Sequence, residues 1–233
     1  MIIDSFKTEL PFNDLRQNLN KKIAVLFRGP LRPTPYAAAI HTNLLTNELK
    51  SQGFQVTTYL ATWMRYKNYD ANDLISMGLY DNIIVQQPPT SAQVKRCTSR
   101  ESYGIYPISN VYGMYYQSKT ALDVITSADD YDYVVHSRTD LRAKFGKHVS
   151  NWFQPNVYMT PVNTTPWVCD WISVAQPDIM RKVWNYDNFG NLGHLIDTTD
   201  VPEMILMSMM KHYNITVKTA ELEELWLDPD RNI

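Results

Sequence analysis

Residues Ile23 to Phe27 form an unbroken apolar run, and the eight residues that follow, Arg28 to Pro35, hold three prolines and a glycine. An apolar run without polar alternation is the pattern of a strand covered on both faces. The proline-rich stretch lets neither strand nor helix continue, so the chain must turn there. A strand buried on both faces needs helices above and below it, which points to a layered α/β sheet.

The rest of the chain repeats the alternation. The spacing of Ala38, His41, Leu44, Leu45 and Leu49 predicts a helix over about 36–52, stopped by Gly53. Strands are expected at Phe54–Leu60 and Asn82–Val85, the latter ended by Pro88-Pro89. Residues 90–107 read as a loop carrying Lys95, Arg96 and Arg100. A long helix is expected over about 109–128, then a strand at Tyr133–Ser137 with Arg138-Thr139-Asp140 at its end. Further strands are expected at Asn156–Thr160 and Trp171–Ala175. Pro177 and Pro202 each suit the first turn of a helix, predicted over 177–184 and 202–213. Residues 187–199 read as a loop with Gly190 and Gly193. Ile215–Val217 is a last short strand before an acidic tail. Strands alternating with helices argue for a mostly parallel sheet wrapped by helices. Residues 1–20 read as an arm or short helix. No linker, repeat or low-complexity tract divides the chain, so residues 1–233 read as one domain.

Composition narrows the function classes. The chain has 233 residues, with Lys+Arg 22 against Asp+Glu 24 and a net charge of -2. A nucleic-acid partner is disfavoured, because phosphate neutralisation needs a cationic surface. The two cysteines, Cys97 and Cys169, support neither a disulfide framework nor a four-thiolate zinc site. No apolar run reaches the ~18 residues of a membrane span. The opening MIIDSFKTELPF lacks the basic-then-apolar order of a signal peptide. The expectation is a soluble, cytoplasmic protein, in which the sequons at Asn163 and Asn214 carry no weight. Oligomeric state is not legible.

In open parallel sheets, ligands bind outside the carboxyl ends of the strands. That rule selects Arg28-Gly29-Pro30-Leu31-Arg32 and Ser137-Arg138-Thr139-Asp140. Arg28, Arg32 and Arg138 suit phosphate through their forked donors. Asp140 is a hard oxygen ligand of the kind that holds magnesium or manganese beside phosphate oxygens. An Arg-x-Asp at a strand end is also a common surface ion pair. There is no Gly-x-Gly-x-x-Gly, no phosphate-loop Gly-Lys-Ser/Thr and no Gly-x-Ser-x-Gly. His148, His194 and His212 lack zinc spacing.

Five blocks, in order, resemble the small GT-A type glycosyltransferases of bacterial polysaccharide and lipopolysaccharide clusters and of large DNA viruses and phages. Ile23 to Arg32, IAVLFRGPLR, resembles their strand followed by Ser-Gly-Gln-x-Arg. Met114 to Ala121 resembles a Met-Tyr-Tyr-x-x-x-x-Ala helix. Tyr131 to Leu141 resembles a Tyr-Asp-x-Val-Ile-x-x-Arg-x-Asp-Leu strand. Asp170 to Met180 resembles an Asn-Asp-x-Phe-x-x-Gly-Ser-x-x-x-Met stretch, and Pro202 to Val217 a His-Pro-Glu-x-x-Leu…Ile-x-Val ending. Arg28 departs from these blocks by replacing a serine, and Val201 by replacing the histidine before Pro-Glu. Arg138 matches its block but stands where GT-A folds in general carry the first aspartate of a metal-binding Asp-x-Asp.

The resemblance implies a Rossmann-like GT-A fold with a mostly parallel central sheet flanked by helices. It implies transfer of a sugar from a nucleotide-sugar donor, UDP- or GDP-linked, to a glycan or lipid-linked saccharide. Mn2+ or Mg2+ would be held by Asp140. Donor-binding candidates are Arg28, Gly29, Arg32, Tyr115, Arg138 and Asp140. Catalytic candidates are Glu203, as base toward the acceptor hydroxyl, and Asp170. Each has a plainer reading. Glu203 suits a helix start through the dipole alone, Asp170 suits a turn, and Tyr115, with Tyr112 and Tyr116, suits a packing face. Trp167 and Trp171 are candidate stacking platforms for an acceptor. Two competing functions are a catalytically silent nucleotide-sugar-binding or adaptor domain, motivated by Arg138, and a nucleotidyltransferase, which lacks its glycine-rich first loop here.

Overall fold

The computed structural model describes residues 20–31, 34–66, 69–104, 106–128, 130–162, 168–186 and 192–227. The readings at 1–19, Arg32, Asn163, Trp167 and Gly190 lie outside the described residues. In chain order the elements are β1 (Lys22–Arg28), α1 (Pro35–Ser51), β2 (Gln55–Trp63), β3 (Arg65–Tyr66), β4 (Tyr69–Asp70), α2 (Ala71–Met77), β5 (Asn82–Gln86), α3 (Ser91–Cys97), β6 (Ser102–Tyr103), β7 (Tyr106–Pro107), α4 (Ile108–Ala128), β8 (Tyr133–Arg138) and β9 (Leu141–Lys144). A 3-10 turn (Gly146–Trp152) leads to β10 (Tyr158–Pro161), β11 (Ile172–Ala175), α5 (Pro177–Trp184), α6 (Leu192–Thr198), α7 (Glu203–His212), β12 (Val217–Ala220) and β13 (Glu224–Leu227).

Seven strands form one mostly parallel sheet in the order β12-β10-β11-β8-β1-β2-β5. Its strand β11 runs antiparallel to both neighbours, while β1, β2, β5 and β8 are mutually parallel. The chain steps outward from β1 to β2 and β5, then returns across the sheet to β8 on the other side of β1. The strand order therefore reverses between β1 and β8, and the carboxyl ends at such a reversal are where open α/β sheets bind ligands.

The unbroken apolar run of β1 is covered on both faces, as its pattern predicts. Ile23, Val25 and Phe27 pack toward Leu45 and Leu49 of α1, while Ala24 and Leu26 pack toward Leu122 of α4 and Met180 of α5. Helix α1 starts where the prolines end the turn: Thr34 Oγ1 accepts from the Ala37 N–H at 3.1 Å, and Pro35 occupies the first turn. Helix α4 buries Ile108, Val111, Tyr115, Ser118, Leu122 and Ile125, a three-four spacing that presents one face to the sheet.

Two stretches read as loops contain short helices. Residues 90–107 include α3, opened by a capping box in which Thr90 and Gln93 exchange hydrogen bonds of 2.8 and 3.2 Å. Only Val94 of that helix is buried, so no apolar periodicity announces it. Residues 192–198 of the glycine-bearing stretch form α6. The acidic tail contributes β13, which pairs antiparallel with β9. Among the described residues no helix is long and apolar enough to cross a membrane.

Candidate functional site

Register brings the two sequence-selected segments together. Arg28 ends β1, Arg138 ends β8, and the two are direct cross-strand partners. Side chains alternate along a strand, so both point to the α4/α5 side of the sheet. The backbone beyond is tied down: Thr139 N–H donates to the Arg28 carbonyl at 3.1 Å, and Thr139 Oγ1 to the Pro30 carbonyl at 2.6 Å. Gly29 takes φ 109° here, a conformation that favours glycine, while its N–H reaches the Ala61 carbonyl of β2.

Each arginine has its own carboxylate. Arg28 Nη2 donates to the Asp170 carbonyl at 2.7 Å and to Asp170 Oδ2 at 3.2 Å. Asp170 reaches this edge because β11 is antiparallel, so its entry end lies beside the carboxyl ends of β1 and β8. Arg138 grips Asp140 with two bonds of 2.8 Å, Nε to Oδ1 and Nη2 to Oδ2. The two pairs differ in access. The Arg28 side chain is 4% exposed and that of Arg138 is 17% exposed. Burial works against the charge of Arg28, and Asp170 works for it. Burial opposes the Arg138 charge too, but the hydrogen bonds and charge of Asp140 more than offset it.

An aromatic cluster lies beneath. The Arg28 guanidinium stands 5.6 Å from the Trp184 ring centre. Trp184 also packs on His136 at 4.3 Å and on Tyr115 at 5.4 Å, and Tyr115 meets Tyr186 edge-on at 5.0 Å. His136 is fully buried, with Nε2 3.1 Å from Ser118 Oγ. Burial, followed by the nearby Arg28 charge, pushes its pKa well below the ordinary value, so the ring is neutral. Only one nitrogen of the His136 ring is thus hydrogen-bonded. Its Nδ1, the Arg28 Nε and the Tyr186 hydroxyl find no partner among the described residues. Buried polar atoms without partners are uncommon.

Glu203 opens α7 at the margin of this cluster. Burial raises its pKa and the Asp170 charge adds to the rise, while a bond to its own backbone N–H opposes it. Tyr115 is fully buried and donates its hydroxyl to the Pro202 carbonyl, just before Glu203. It therefore ties α4 to the start of α7, and its ring packs against aromatic neighbours. Trp171 packs on the opposite, α1 side of the sheet. Lys95 and Arg96 lie in the last turn of α3, and the Arg100 guanidinium stacks over Tyr103 at 4.4 Å. The segment after α3 is fastened by Asp197, whose carboxylate accepts from Thr98 Oγ1 and from the N–H groups of Ser99 and Arg100.

Two groups at the site, Trp184 and Tyr106, escape the sequence reading; they are separated along the chain and share no motif. Tyr106 is 55% exposed on the β6–β7 hairpin and is an electrostatic neighbour of Arg138. An exposed tyrosine between two short strands carries no local signal for this.

The metal that the resemblance assigns to Asp140 has a poor donor set here. Both carboxylate oxygens already face a guanidinium, and the described residues hold no group of three or more His, Cys, Asp or Glu side chains arranged for a metal ion. Hard cations need several free oxygens.

No family model matches the chain, and no curated protein matches it in sequence. Among solved structures, the chain is similar to Drosophila β1,4-galactosyltransferase 7 in complex with manganese, UDP-Gal and xylobiose, at 10% identity and TM-score 0.48, covering 91% of this chain and 69% of that one. It is similar to the apo form of glycosyltransferase GlyE from Streptococcus pneumoniae at 12% identity and TM-score 0.44, covering 85% of this chain and 45% of that one. It is also similar to a nucleotide-diphospho-sugar transferase assigned from Desulfovibrio desulfuricans, at 10% identity and TM-score 0.44, covering 87% and 80%. The chain thus spans about two thirds of the galactosyltransferase and less than half of GlyE. None of these reaches a TM-score of 0.5, and the activity of this chain is read from its own residues.

Proposed function

We propose that the chain is a glycosyltransferase that moves a sugar from a nucleotide-sugar donor to the hydroxyl of a glycan or lipid-linked saccharide. The observation that carries the reading is the in-register pair Arg28 and Arg138 at the switch point of the sheet, with a half-buried carboxylate, Glu203, at its margin. The ordered resemblance of five sequence blocks supports it. In this reading the donor diphosphate lies over the ends of β1 and β8, and Arg138 meets it through its more accessible guanidinium. Tyr106 offers an exposed ring for the nucleobase. Glu203 takes the proton of the acceptor hydroxyl as the acceptor oxygen attacks the anomeric carbon. The bond from that carbon to the diphosphate breaks, and its electron pair leaves on the phosphate oxygen, where fixed positive charge offsets it. Asp170 holds Arg28 in place. Gly29 lets the backbone turn close beneath the phosphates. UDP- and GDP-sugars are the expected donors. The Asp140 donor set fits a cation poorly, so in this reading the guanidiniums carry the stabilisation of the leaving diphosphate.

A second reading, a nucleotide-sugar-binding domain without turnover, is favoured by one feature: Arg28 is nearly inaccessible and already saturated by Asp170 at Nη2. A thermal-shift panel of UDP-, GDP-, CMP- and dTDP-sugars, each with and without manganese, tests both. A ligand that binds only the folded chain raises its midpoint. Stabilisation by one nucleotide class together with slow donor hydrolysis is the expected result for the transferase. Stabilisation without any turnover, across an acceptor panel, favours the silent domain. No stabilisation by any nucleotide overturns both.

A further inference from the structure

Asp140 would be the anchor for a divalent cation, yet its geometry fits a different task. Its two oxygens accept from Nε and Nη2 of Arg138 at 2.8 Å each. That is the side-on fork that matches a carboxylate or a phosphate. A divalent ion drawn to those oxygens would sit roughly 3–5 Å from a guanidinium tethered two residues away, where like charges repel strongly. On the neighbouring strand Arg28 is held differently: its Nη2 alone donates, to the Asp170 carbonyl at 2.7 Å and to Asp170 Oδ2 at 3.2 Å. Their register places the two arginines on adjacent strands, on one face, at the same strand end.

The two arginines are not equivalent. Arg28 is sealed over the Trp184 ring and held by Asp170. Arg138 is more accessible, and the described contacts engage only its Nε and Nη2 edge. A ligand therefore meets Arg138, with the charge of Arg28 fixed behind it.

We propose that this pair of guanidiniums takes the place of a divalent cation: the chain binds a nucleoside diphosphate without metal, on Arg138, with Asp140 as the positioning residue that holds the guanidinium at the strand end. The inference rests on the nucleotide-sugar reading and specifies how that ligand is held. It also assigns the departing charge. When the anomeric carbon–oxygen bond breaks, its electron pair stays on the diphosphate, and the planar guanidinium hydrogen-bonds the oxygens that gain charge. No additional reactant is required.

Calorimetric titration of the full chain with UDP, GDP and dTDP tests this, first after exhaustive dialysis against EDTA and then with manganese. One of the three is expected to bind the EDTA-treated protein, with an affinity that manganese changes by less than about threefold. Arg138→Gln is expected to weaken that binding by about tenfold or more, without rescue by manganese. Arg138→Lys should recover only part, because an ammonium keeps the charge but loses the fork. Asp140→Asn, whose amide oxygen still accepts one bond, should weaken binding less than Arg138→Gln. Binding seen only with manganese, and lost in Asp140→Asn, overturns the inference while leaving the nucleotide-sugar reading intact. Absence of binding under both conditions overturns that reading and the inference with it. The EDTA comparison uses the unaltered chain, so it decides the matter even if a variant fails to fold.

Discussion

A carboxylate that takes a proton from an alcohol is helped when burial lifts its pKa toward the working pH. Glu203 has that setting, with burial as the larger cause and the Asp170 charge as the second. Glu203→Gln is therefore expected to lower kcat about 10²–10⁴-fold, since the amide accepts no proton. A loss of less than about threefold in a donor-consumption assay would remove Glu203 from the mechanism. The sign of the pH dependence follows from the same shift. Glu203 works as the carboxylate, and its folded pKa lies above the ordinary glutamate value. Activity is then lost as pH falls through that raised pKa, so the acid limb of the kcat/KM profile lies above about 4.3, the unperturbed value. The charge is also disfavoured in the folded state at neutral pH. The thermal midpoint of Glu203→Gln should accordingly rise, which separates a functional carboxylate from a stabilising helix-start residue. Glu203 was legible as a candidate from its place after Pro202. The contact between two other candidates, Arg28 and Asp170, was not: they are 142 residues apart, and no local pattern announces it.

Elements decide which side chains share the site. Helix α4 is legible from its three-four spacing, and that same spacing aims Tyr115 at the sheet. What the spacing does not tell is that the tyrosine hydroxyl ends on the Pro202 carbonyl and so fixes the first turn of α7. Tyr115→Phe keeps the ring and removes one of two donors to that carbonyl, which still accepts from the Ile205 N–H at 3.0 Å. The expected cost is about 0.5–1.5 kcal/mol in urea unfolding, with a further fall in kcat as the start of α7 loosens. A change below about 0.5 kcal/mol would mean that the hydroxyl does not anchor the helix. Strand β11 carries a similar lesson. Its apolar residues mark it as a strand, but only its antiparallel pairing with β8 delivers Asp170 to the carboxyl edge. A parallel β11 would put that aspartate at the far end of the sheet. The short helix α3 buries only Val94, so no apolar stripe marks it; α6 buries Leu192, Gly193, Leu195 and Ile196, but its seven residues are too few for a helical period to stand out beside a glycine.

At the scale of the molecule, both packed layers share one sheet. The α1 side buries Phe27, Leu45 and Trp152, and the α4/α5 side buries Leu26, Leu122 and Trp184, on opposite faces of the same strands. Neither layer keeps its apolar face covered without the sheet. We therefore propose one folding unit over the described residues. Urea unfolding followed by far-ultraviolet dichroism and by tryptophan fluorescence should give coincident transitions. Two separated transitions would show that the layers fold independently. The amino-acid sequence alone determined the α/β class, because apolar runs and helical spacing are local patterns that burial imposes directly. It also placed Arg28 and Arg138 at the carboxyl ends of two strands, because each stands at the end of a run that reads as a strand. Tertiary structure alone decided the rest. The register set Arg28 beside Arg138, the direction of β11 brought in Asp170, and the return from β5 to β8 placed all of them at a switch point. Pairing partners and strand order depend on contacts between residues far apart in the chain, and no window along the sequence contains both partners of such a contact.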